Sequence, residues 1–348
     1  MGAGMTDAER YEKVDLPFYR AEIAPMLPAK VLDFHTHTWN ADNWKFRPWE
    51  SEAPGGKYMV GNPYYEPAVL LADGRRCFPD REYHAVCFGY PTPVIDWEKD
   101  TAYVAAAART NPTLWPLVVG GPDLKISRER YERALDEGGF YGFKVFLNWL
   151  GDNYGDKRVE EMVGADEIAL ANERRLIVLL HVPRSGRLAD PAVQKGVQWL
   201  SRACPGGRIV LAHAGRCYLP AEMKAAIGSV KDLDNVFMDL SMVMDPVVVQ
   251  MAIDALGPAR LMYATDFPVA AMRGRRVRVM DHWVDVVLPG YPASAFRVAD
   301  GGIRATFMAW EIALAIRWAA ELCGITAAER HGIFYDNGRR LLDEVRRG

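Results

Sequence analysis

The sequence predicts one (β/α)₈ barrel that spans residues 1–348. Two observations predict it: eight short apolar segments alternate with helical segments, and unusual polar residues stand where several of these segments end. Strands that alternate with helices favour a parallel sheet, and eight such units close a barrel. An open, doubly wound sheet is the alternative, but no G-x-G-x-x-G turn follows the first strand and no phosphate-loop sequence is present. Half of the residues are apolar, which is enough for one large core.

The predicted elements follow the chain in order. Residues 1–28 predict a helical lead-in to the first strand. The eight predicted strands are Lys30–His37, Glu82–Phe88, Thr113–Gly120, Tyr141–Leu147, Leu176–Val182, Arg208–Ala214, Asn235–Ser241 and Arg260–Asp266. The predicted helices lie near Trp97–Arg109, Ser127–Glu137, Val159–Arg174, Asp190–Arg202, Pro220–Gly228, Pro246–Leu256 and Thr306–Leu322.

Helix start signals support several of these boundaries. Asp190 and Asp245 each stand before a proline, which places a capping acid ahead of a proline at the first helical position. Thr326 and Glu329 form a capping box that opens a last helical segment. The pair Asn337-Gly338 is expected to interrupt that segment.

Two long connections break the alternation. The first runs from Trp39 to about Asp80 and is rich in tryptophan, tyrosine, proline and glycine, and the second is an insertion at about 269–302. Connections of this length inside a compact domain are usually functional. The aromatic residues of the first predict a wall or lid over an apolar or aromatic substrate, with Trp39 facing the site. The alternative is a small aromatic core that only holds the loop together.

Charge and composition exclude several functional classes. The net charge of −3 and the pI near 6.2 give no reason to expect a nucleic acid or an anionic membrane surface as a partner. The apolar runs are too short to span a membrane, and we expect no secretion signal at the acidic N-terminus. Five cysteines without a C-x-x-C pair indicate a reduced cytoplasm. We expect a small-molecule substrate, and the sequence leaves open whether the protein is a monomer or a homodimer.

The first predicted strand carries two histidines and a carboxylate. On a regular strand alternate side chains share a face, so Asp33, His35 and His37 would point one way, opposite to Phe34 and Thr36. Two imidazoles beside a carboxylate fill a core poorly, but neutral imidazole nitrogen is a favoured ligand of zinc and similar divalent ions. A pair of polar histidines at a strand end is the alternative.

Similar residues end other predicted strands. Strand five ends in His181, strand six in His213 and strand eight in Asp266, and strand four carries Lys144. The active site of such a barrel lies at the C-terminal ends of its strands, so these side chains would converge with those of strand one. We therefore predict a metal site. The histidines outside this pattern, interpreted as structural or surface residues, are His84, His282 and His331.

These residues and their flanks resemble the amidohydrolase superfamily. The resemblance is to its branch that includes aminocarboxymuconate-semialdehyde decarboxylase and related aromatic-acid decarboxylases and hydrolases, and it covers nearly the whole chain. It is specific for the fold and the metal site and does not specify the reaction. The motifs that carry it are Leu32-Asp-Phe-His-Thr-His, Ala212-His-Ala-Gly215, Ala264-Thr-Asp-Phe-Pro268 and Asp336-Asn-Gly-Arg-Arg-Leu341.

The resemblance implies a role for each candidate residue. One divalent ion is implied, zinc first, with manganese or iron as alternatives. His213 would lie beside it as an acid/base or as an additional ligand. Lys144 would be either a carbamate that bridges two metals, as in binuclear members, or a structural or substrate-facing cation. The residues that would bind the ion are His35, His37, His181 and Asp266.

Three functions remain open at this point. In hydrolysis of an ester, lactone, amide or related carbonyl compound, the metal would activate water, Asp266 would take its proton, and His213 would stabilise the oxyanion or act as a second acid/base. In decarboxylation of an aromatic or unsaturated acid, Arg184, Arg187 or Arg216 could bind the carboxylate. A metal-stabilised scaffold is disfavoured, because both Asp266 and His213 are present, whereas a merely structural zinc site is normally closed by four ligands. We predict a hydrolase first, with substrate contacts from Trp39, Lys144, Arg184 and Arg216.

Overall fold

Parallel strands in chain order form the centre of the fold. The computed structural model describes residues 5–45, 63–90, 95–146, 155–288, 296–297 and 305–345. Each strand pairs in parallel with the one before it, in a three-stranded and a six-stranded sheet. Leu117 lies between the two halves of the third strand, and its N–H donates to the carbonyl oxygen of Cys87 on the second strand, so the pairing continues across the gap. The strands are Lys30–His37 (β1), Glu82–Phe88 (β2), Leu114–Pro116 with Val118–Gly120 (β3), Gly142–Val145 (β4), Ile177–Leu180 (β5), Arg208–Leu211 (β6), Val236–Asp239 (β7) and Leu261–Met262 (β8).

Hydrogen bonds between β1 and the segment after β8 close the ring of strands. The N–H of Asp266 donates to the carbonyl oxygen of His35 at 2.8 Å, and that of His37 donates to Phe267 at 3.0 Å. Thr36 and Phe267 also form a parallel bridge. The eight strands therefore form a barrel, and the predicted fold class is confirmed.

Helices lie close to where the sequence predicts them. A helical lead-in covers residues 7–26, and the predicted caps are present: Asp190 accepts from the N–H of Ala192 at 2.8 Å, and Asp245 from that of Val247 at 3.0 Å. No helix in the part of the chain that the structure describes is both long and apolar enough to cross a bilayer. The helices between and after the strands are Trp97–Thr110, Arg128–Gly138, Ala165–Arg174, Pro191–Ala203, Pro220–Ala226, Pro246–Leu256 and Met308–Cys323.

The last helical segment continues through Asn337 and Gly338, so the predicted interruption is wrong. Helical turns cover residues 327–343 without a break. The side-chain amide of Asn337 donates to the carbonyl oxygen of Leu261 at 2.8 Å, and a Cβ at Gly338 would lie 2.7 Å from the Phe34 ring. The two residues permit close approach of this helix to the barrel, and they do not form a turn.

The segment after β1 is only partly a loop. It contains the helix Pro67–Cys77, which the sequence analysis did not predict, and a short antiparallel pair of Trp39–Asn40 with Tyr64–Tyr65. Only three of the 11 helical residues are buried, so the helix shows little apolar periodicity in the sequence. The aromatic residues of the predicted lid that lie outside the described residues are Phe46, Trp49 and Tyr58.

The predicted insertion at about 269–302 contains a β-hairpin. Its strands Gly274–Val279 and His282–Val287 pair antiparallel, and Phe296–Arg297 pairs in parallel with the second of them. The ring of Trp283 on this hairpin lies 5.3 Å from that of Tyr218, which follows β6. The hairpin therefore lies beside the C-terminal ends of the barrel strands. Residues 289–295 and 298–304 of the insertion lie outside the described residues.

The buried apolar residues form two clusters, one between the barrel and its helices and one inside the barrel. The larger one includes the outward-facing strand residues and the helices. The smaller one fills the barrel beneath the polar strand ends, so the site above it has an apolar floor. Its buried members on or next to the strands are Leu32, Phe34, Val86, Phe88, Leu117, Ile177, Leu179, Val210, Ala212, Phe237, Met262 and Ala264.

A β-bulge interrupts β1 just before its histidines. Asp33 pairs with Ala85, whereas Thr36 pairs with Cys87, so β1 contains one residue more than β2 over this stretch. Such an extra residue breaks the alternation of side chains between the two faces of a strand. Residues before and after the bulge therefore follow different phases.

The bulge corrects the predicted orientation of the β1 side chains. Phe34 belongs to the interior cluster, and His35, the next residue, also points into the barrel, toward Lys144. Asp33 instead accepts hydrogen bonds from the N–H and the hydroxyl of Thr265. The prediction that Asp33 shares one face with His35 and His37 is wrong, because regular alternation does not continue through the bulge.

The burial of Asp100 predicts that the stability of the protein depends on pH. Its carboxyl, in the helix Trp97–Thr110, is buried against Gly89, and this burial raises its pKa to about 8. The same group in the unfolded chain titrates near 3.9, so the native state holds the proton more tightly and the free energy of unfolding falls as the pH rises between these values, by about 1.4 kcal/mol per pH unit. We expect Asp100→Asn to remove this slope. Melting temperatures of both proteins from about pH 5 to pH 8 measure it, and equal slopes would contradict the expectation.

Candidate metal centre

Three side chains from three barrel strands meet at the C-terminal end of the barrel. His35 lies on β1, His213 follows β6, and Asp266 follows β8. One potential ligand atom of each lies within 4.8 Å of those of the other two. Two imidazoles and a carboxylate at this spacing can bind one divalent cation. The convergence that the sequence predicts for strands one, six and eight is present.

The Asp266 carboxylate connects the two histidines of β1. Its Oδ1 lies 3.1 Å from Nε2 of His37 and 3.4 Å from Nε2 of His35. Burial alone would raise the pKa of the carboxyl, but the hydrogen bond with His37 and the proximity of His213 and His35 hold this pKa well below its usual range. Its side chain is 17% exposed, against at most 2% for the two β1 histidines, so Asp266 is the member of this group that faces the opening.

Left-handed backbone conformations place two of these residues. His213 has a φ of 55° and Asp266 a φ of 69°, a region that non-glycine residues adopt at some cost. Ala212, just before His213, is still extended, so the change of conformation comes at His213 itself. Strands six and eight end at Leu211 and Met262, earlier than the sequence predicts.

His37 and His181 each lie next to a member of this group, His37 beside Asp266 and His181 beside His213. The ring centroid of His181 is 5.0 Å from that of His213. Burial lowers the pKa of His37 to about 4, against the effect of Asp266, and it lowers the pKa of His181 well below its usual value. Both rings are thus neutral near pH 7, the form in which imidazole binds a metal.

The donor chemistry of the site fits a divalent cation. The buried Nδ1 atoms of His37 and His181 have no hydrogen-bond partner among the described residues, and burial lowers the pKa of His213 to about 3. Neutral imidazoles and an ionised carboxylate are the ligands that zinc, manganese and iron share. The four-residue ligand set that the sequence analysis names stays a prediction. A ring nitrogen of His213, which is not in that set, lies within 4.8 Å of the potential ligand atoms of two of its members, His35 and Asp266.

Lys144 points from β4 into the same group. Its Nζ lies 3.2 Å from Nε2 of His35 and 4.6 Å from the centroid of the Phe88 ring. Full burial lowers the pKa of Lys144 to about 8, although Asp239 and Asp266 act in the opposite direction. Both roles that the sequence leaves open for this lysine remain predictions.

The sequence analysis missed Asp239 and Ser241. Asp239 ends β7, is fully buried, and places Oδ2 2.9 Å from Nδ1 of His35. Ser241 places its Oγ 2.8 Å from Nδ1 of His213. The pattern that singled out His213, a polar residue that closes an apolar strand, also occurs in Val236-Phe-Met-Asp, so Asp239 could have been found. Nothing comparable marks Ser241.

Trp39 lies two residues beyond His37 in a buried aromatic cluster. Its side chain is fully buried, and its ring centroid lies 5.3 Å from that of Tyr65 and 5.0 Å from that of Tyr90. This packing corresponds to the small aromatic core that the sequence analysis gave as its alternative. Contact of Trp39 with a substrate stays a prediction.

The buried position of Trp39 predicts a large structural effect of its removal. We expect Trp39→Ala to lower the free energy of unfolding by about 3–5 kcal/mol, because it empties a closely packed site. Tyr64→Ala, on the paired strand but with 39% of the side chain exposed, should cost far less. Urea denaturation of both variants measures the difference. Equal and small losses would contradict the packing, and a raised KM for a metal-loaded Trp39→Phe protein would support substrate contact.

The two arginines predicted to bind substrate are held by other groups. Nε of Arg184 donates to Asp190 at 2.8 Å, and a guanidinium N–H of Arg216 donates to the carbonyl oxygens of Val182 and Arg184 at 3.2 and 3.0 Å. Arg216 still acts on the site, because its charge is the second cause, after burial, of the lowered pKa of His181. These contacts do not test substrate binding, which stays a prediction for both arginines.

An aromatic wall extends from His213 to the hairpin. The Tyr218 ring lies 6.3 Å from the His213 ring and 5.3 Å from that of Trp283. The guanidinium carbon of Arg276 lies 4.4 Å from the Tyr218 centroid and 3.8 Å from that of Trp283, and the same guanidinium makes two hydrogen bonds to Asp285 at 2.8 and 2.9 Å. Cation–π contacts and the two-pronged ion pair fix both rings beside the site.

A family comparison matches most of the chain. The protein-family model described as an amidohydrolase matches residues 32–343. No curated protein matches the chain at a significant level.

Solved structures share the fold at low sequence identity. An amidohydrolase from Burkholderia multivorans with bound zinc has 18% identity and a TM-score of 0.60, covering 90% of this chain and 99% of that chain. A putative 2-pyrone-4,6-dicarboxylic acid hydrolase from Pseudomonas putida has 16% identity and a TM-score of 0.56, covering 91% and 99%. A 5-carboxyvanillate decarboxylase from Novosphingobium aromaticivorans with manganese has 15% identity and a TM-score of 0.56, covering 90% and 96%. At these identities the likeness is one of fold.

Proposed function

The chain belongs to the amidohydrolase family, and from this premise we propose that it is a metal-dependent hydrolase of a small molecule with an ester, lactone, amide or related carbonyl group. One observation carries the proposal: His35, His213 and Asp266 offer ligand atoms within 4.8 Å of one another. They do so at the C-terminal end of the barrel, where barrels of this kind have their active sites.

The proposed cation is divalent, and zinc is favoured. Imidazole-rich sites with one carboxylate suit zinc, and manganese or iron are the alternatives. The similar folds from Burkholderia with zinc and from Novosphingobium with manganese support a divalent ion without choosing between the two. Such an ion would polarise a substrate carbonyl and lower the pKa of an attacking water. The residues that would hold it are His35, His37, His181 and Asp266.

Asp266 is the proposed general base. Its pKa lies well below the usual range, so the carboxylate is ionised at neutral pH, and it is the least buried member of the group. The contact with His37 at 3.1 Å keeps one carboxylate oxygen fixed. The carboxylate would take a proton from water and return it to the leaving group. His213, held neutral by burial, would serve as a second acid/base at its Nε2.

A flat substrate with a carbonyl group fits the surroundings of this site. Tyr218 and Trp283 supply aromatic surface on one side, and Lys144 supplies a buried amine next to His35. Aromatic side chains bind planar apolar groups well, and a small number of polar groups then fixes the orientation. The residues that we propose to contact the substrate are Tyr218 and Trp283, together with Trp39, Lys144, Arg184 and Arg216 from the sequence prediction.

Decarboxylation of an aromatic or unsaturated acid is the second candidate. Lys144 favours it, because a buried amine whose pKa is lowered to about 8 lies 3.2 Å from His35 and could hold a carboxylate or give a proton to carbon. The decarboxylases among the similar folds are consistent with it. Arg216 could supply a further cation for the same carboxylate.

One screen distinguishes the candidate functions. Zinc- or manganese-loaded protein is offered lactones and esters, monitored by release of acid, and aromatic acids, monitored by release of CO₂. Acid release without CO₂ supports the hydrolase, and CO₂ release supports the decarboxylase. His35→Asn, which we expect to bind almost no metal, is the control, since activity that survives in it does not come from this site. A metal-loaded protein that turns over neither class would favour the scaffold function.

We also propose a cytoplasmic location. All five cysteines are free, and four of them are buried. Free thiols persist where the surroundings are reducing.

A further inference from the structure

We propose that Asp239 is a positioning residue that sets the tautomers of His35 and His213 together, so that Nε2 of each ring carries a lone pair. The inference deepens the proposed function and rests on it in one respect, namely that the lone pair of His35 serves a cation and that of His213 a proton transfer. Asp239 ends β7 and is fully buried. Each of its carboxylate oxygens has its own set of donors.

The Oδ2 atom of Asp239 faces His35. It lies 2.9 Å from Nδ1 of the ring. An ionised carboxylate has no hydrogen to give, so Nδ1 must carry the hydrogen of this bond. In a neutral imidazole the other nitrogen is then bare. That nitrogen, Nε2, lies 3.4 Å from Oδ1 of Asp266 and 3.2 Å from Nζ of Lys144, within the proposed metal group.

The Oδ1 atom of Asp239 is linked to His213 through Ser241. It accepts the N–H of His213 at 2.9 Å, the N–H of Ser241 at 3.1 Å and the hydroxyl of Ser241. Because that hydroxyl gives its hydrogen to Asp239, its oxygen can accept from Nδ1 of His213, 2.8 Å away. The carbonyl oxygen of Ser241, which can only accept, lies 3.3 Å from the same Nδ1. Both contacts require a hydrogen on Nδ1 of His213.

A carboxylate can accept hydrogen bonds at both oxygens, from His35 on one side and from His213 and Ser241 on the other, whereas an amide can accept on only one side. Asparagine offers one acceptor oxygen and one donor nitrogen. In Asp239→Asn the oxygen should face the three donors on the His213 side, which leaves the amide nitrogen facing His35. Nδ1 of His35 would then have to accept, and its hydrogen would move to Nε2. The substitution is therefore expected to change one ring and to leave the other as an internal control.

The first test reads the tautomers without any metal. Nitrogen-15 spectra of the histidine rings are recorded on the full-length protein after chelation, at about pH 8, where an ordinary histidine is neutral. The signals are assigned with His35→Asn and His213→Gln. We expect Nδ1–H for both rings in the wild type, and Nε2–H for His35 alone in Asp239→Asn. A wild-type His35 with hydrogen on Nε2 would overturn the inference, and since the wild-type spectrum tests it alone, an unstable variant does not remove the test.

The second test measures zinc affinity by competition with a chelator. We expect Asp239→Asn to bind zinc about 10–100-fold more weakly, the usual effect of removing a partner that orients a ligand. Asp100→Asn makes the same chemical change at another buried carboxyl and should bind zinc as the wild type does. Unchanged affinity in Asp239→Asn would overturn the positioning role. A wild type with the expected tautomers that binds no cation would instead overturn the proposed function and leave the tautomer assignment standing.

Discussion

Replacement of His35 by asparagine should remove the bound metal while the barrel stays folded. The asparagine side chain ends at the level of Nδ1 of histidine, so its amide nitrogen can still donate to Asp239, but nothing replaces Nε2. We expect the metal content to fall from about one ion per chain to nearly none. Elemental analysis of protein prepared with added zinc measures the content, and circular dichroism verifies the fold.

Matched variants separate loss of a ligand from loss of structure. His35→Ala leaves the Oδ2 atom of the buried Asp239 without its His35 partner, so this variant should lose metal and stability together. His37→Ala should also lose metal. His84→Asn is the control, because His84 is a buried histidine of β2 that bonds to Glu82 at 2.8 Å, away from the site. Full metal occupancy in both His35→Ala and His37→Ala would refute the ligand assignment.

The sequence predicts β1 and β2 with the bounds that the structure has. Both Lys30–His37 and Glu82–Phe88 contain several apolar or β-branched residues and have clear ends, and local preference and barrel packing agree there. The bulge between Asp33 and Thr36 could not be predicted, because an extra residue is defined only against a partner strand. An orientation argument from alternation alone therefore failed for Asp33.

In the candidate site, too, some residues could be predicted from the sequence and some contacts could not. His35, His213 and Asp266 could be predicted because each is a polar residue at or near the end of a predicted strand, and the barrel brings all such ends to one rim. The bond between His35 and Asp239 joins residues 204 positions apart, and it depends on which side chains the closed barrel places opposite each other. The residues next to His35 and Asp239 in the sequence therefore do not predict this contact. The left-handed backbone at His213 and Asp266 is likewise set by the surrounding structure.

The long connections show how composition can indicate a location without a conformation. The aromatic segment was predicted to lie near the site, and Trp39 lies just after β1. The burial of Trp39 between Tyr65 and Tyr90 depends on the pairing of Trp39–Asn40 with Tyr64–Tyr65, which no local sequence pattern predicts. The insertion had no predicted structure. Its hairpin nevertheless carries Trp283, which packs on Tyr218 beside His213.

Asp266→Asn should abolish most of the turnover even when metal is restored. Asparagine keeps an oxygen near His37 and the cation but cannot take a proton at neutral pH. Amide oxygen is also a weaker ligand than carboxylate, so part of the metal is expected to be lost, and rates must be compared at saturating zinc. Loss of a general base typically lowers the rate about 10²–10⁴-fold. Wild-type turnover in the fully loaded variant would show that no proton passes through Asp266.

His213→Gln completes that test, because it separates proton transfer from metal binding. The glutamine amide reaches the level of Nε2 of histidine, so it fills the same space without a basic nitrogen. If His213 is an acid/base beside the cation, kcat should fall while the metal content stays near that of the wild type. The potential ligand atom of His213 lies within 4.8 Å of those of His35 and Asp266, so loss of metal in His213→Gln is a real alternative result. If His213→Gln loses as much zinc as His35→Asn does, His213 is a ligand, and Asp266 alone is left to carry the proton.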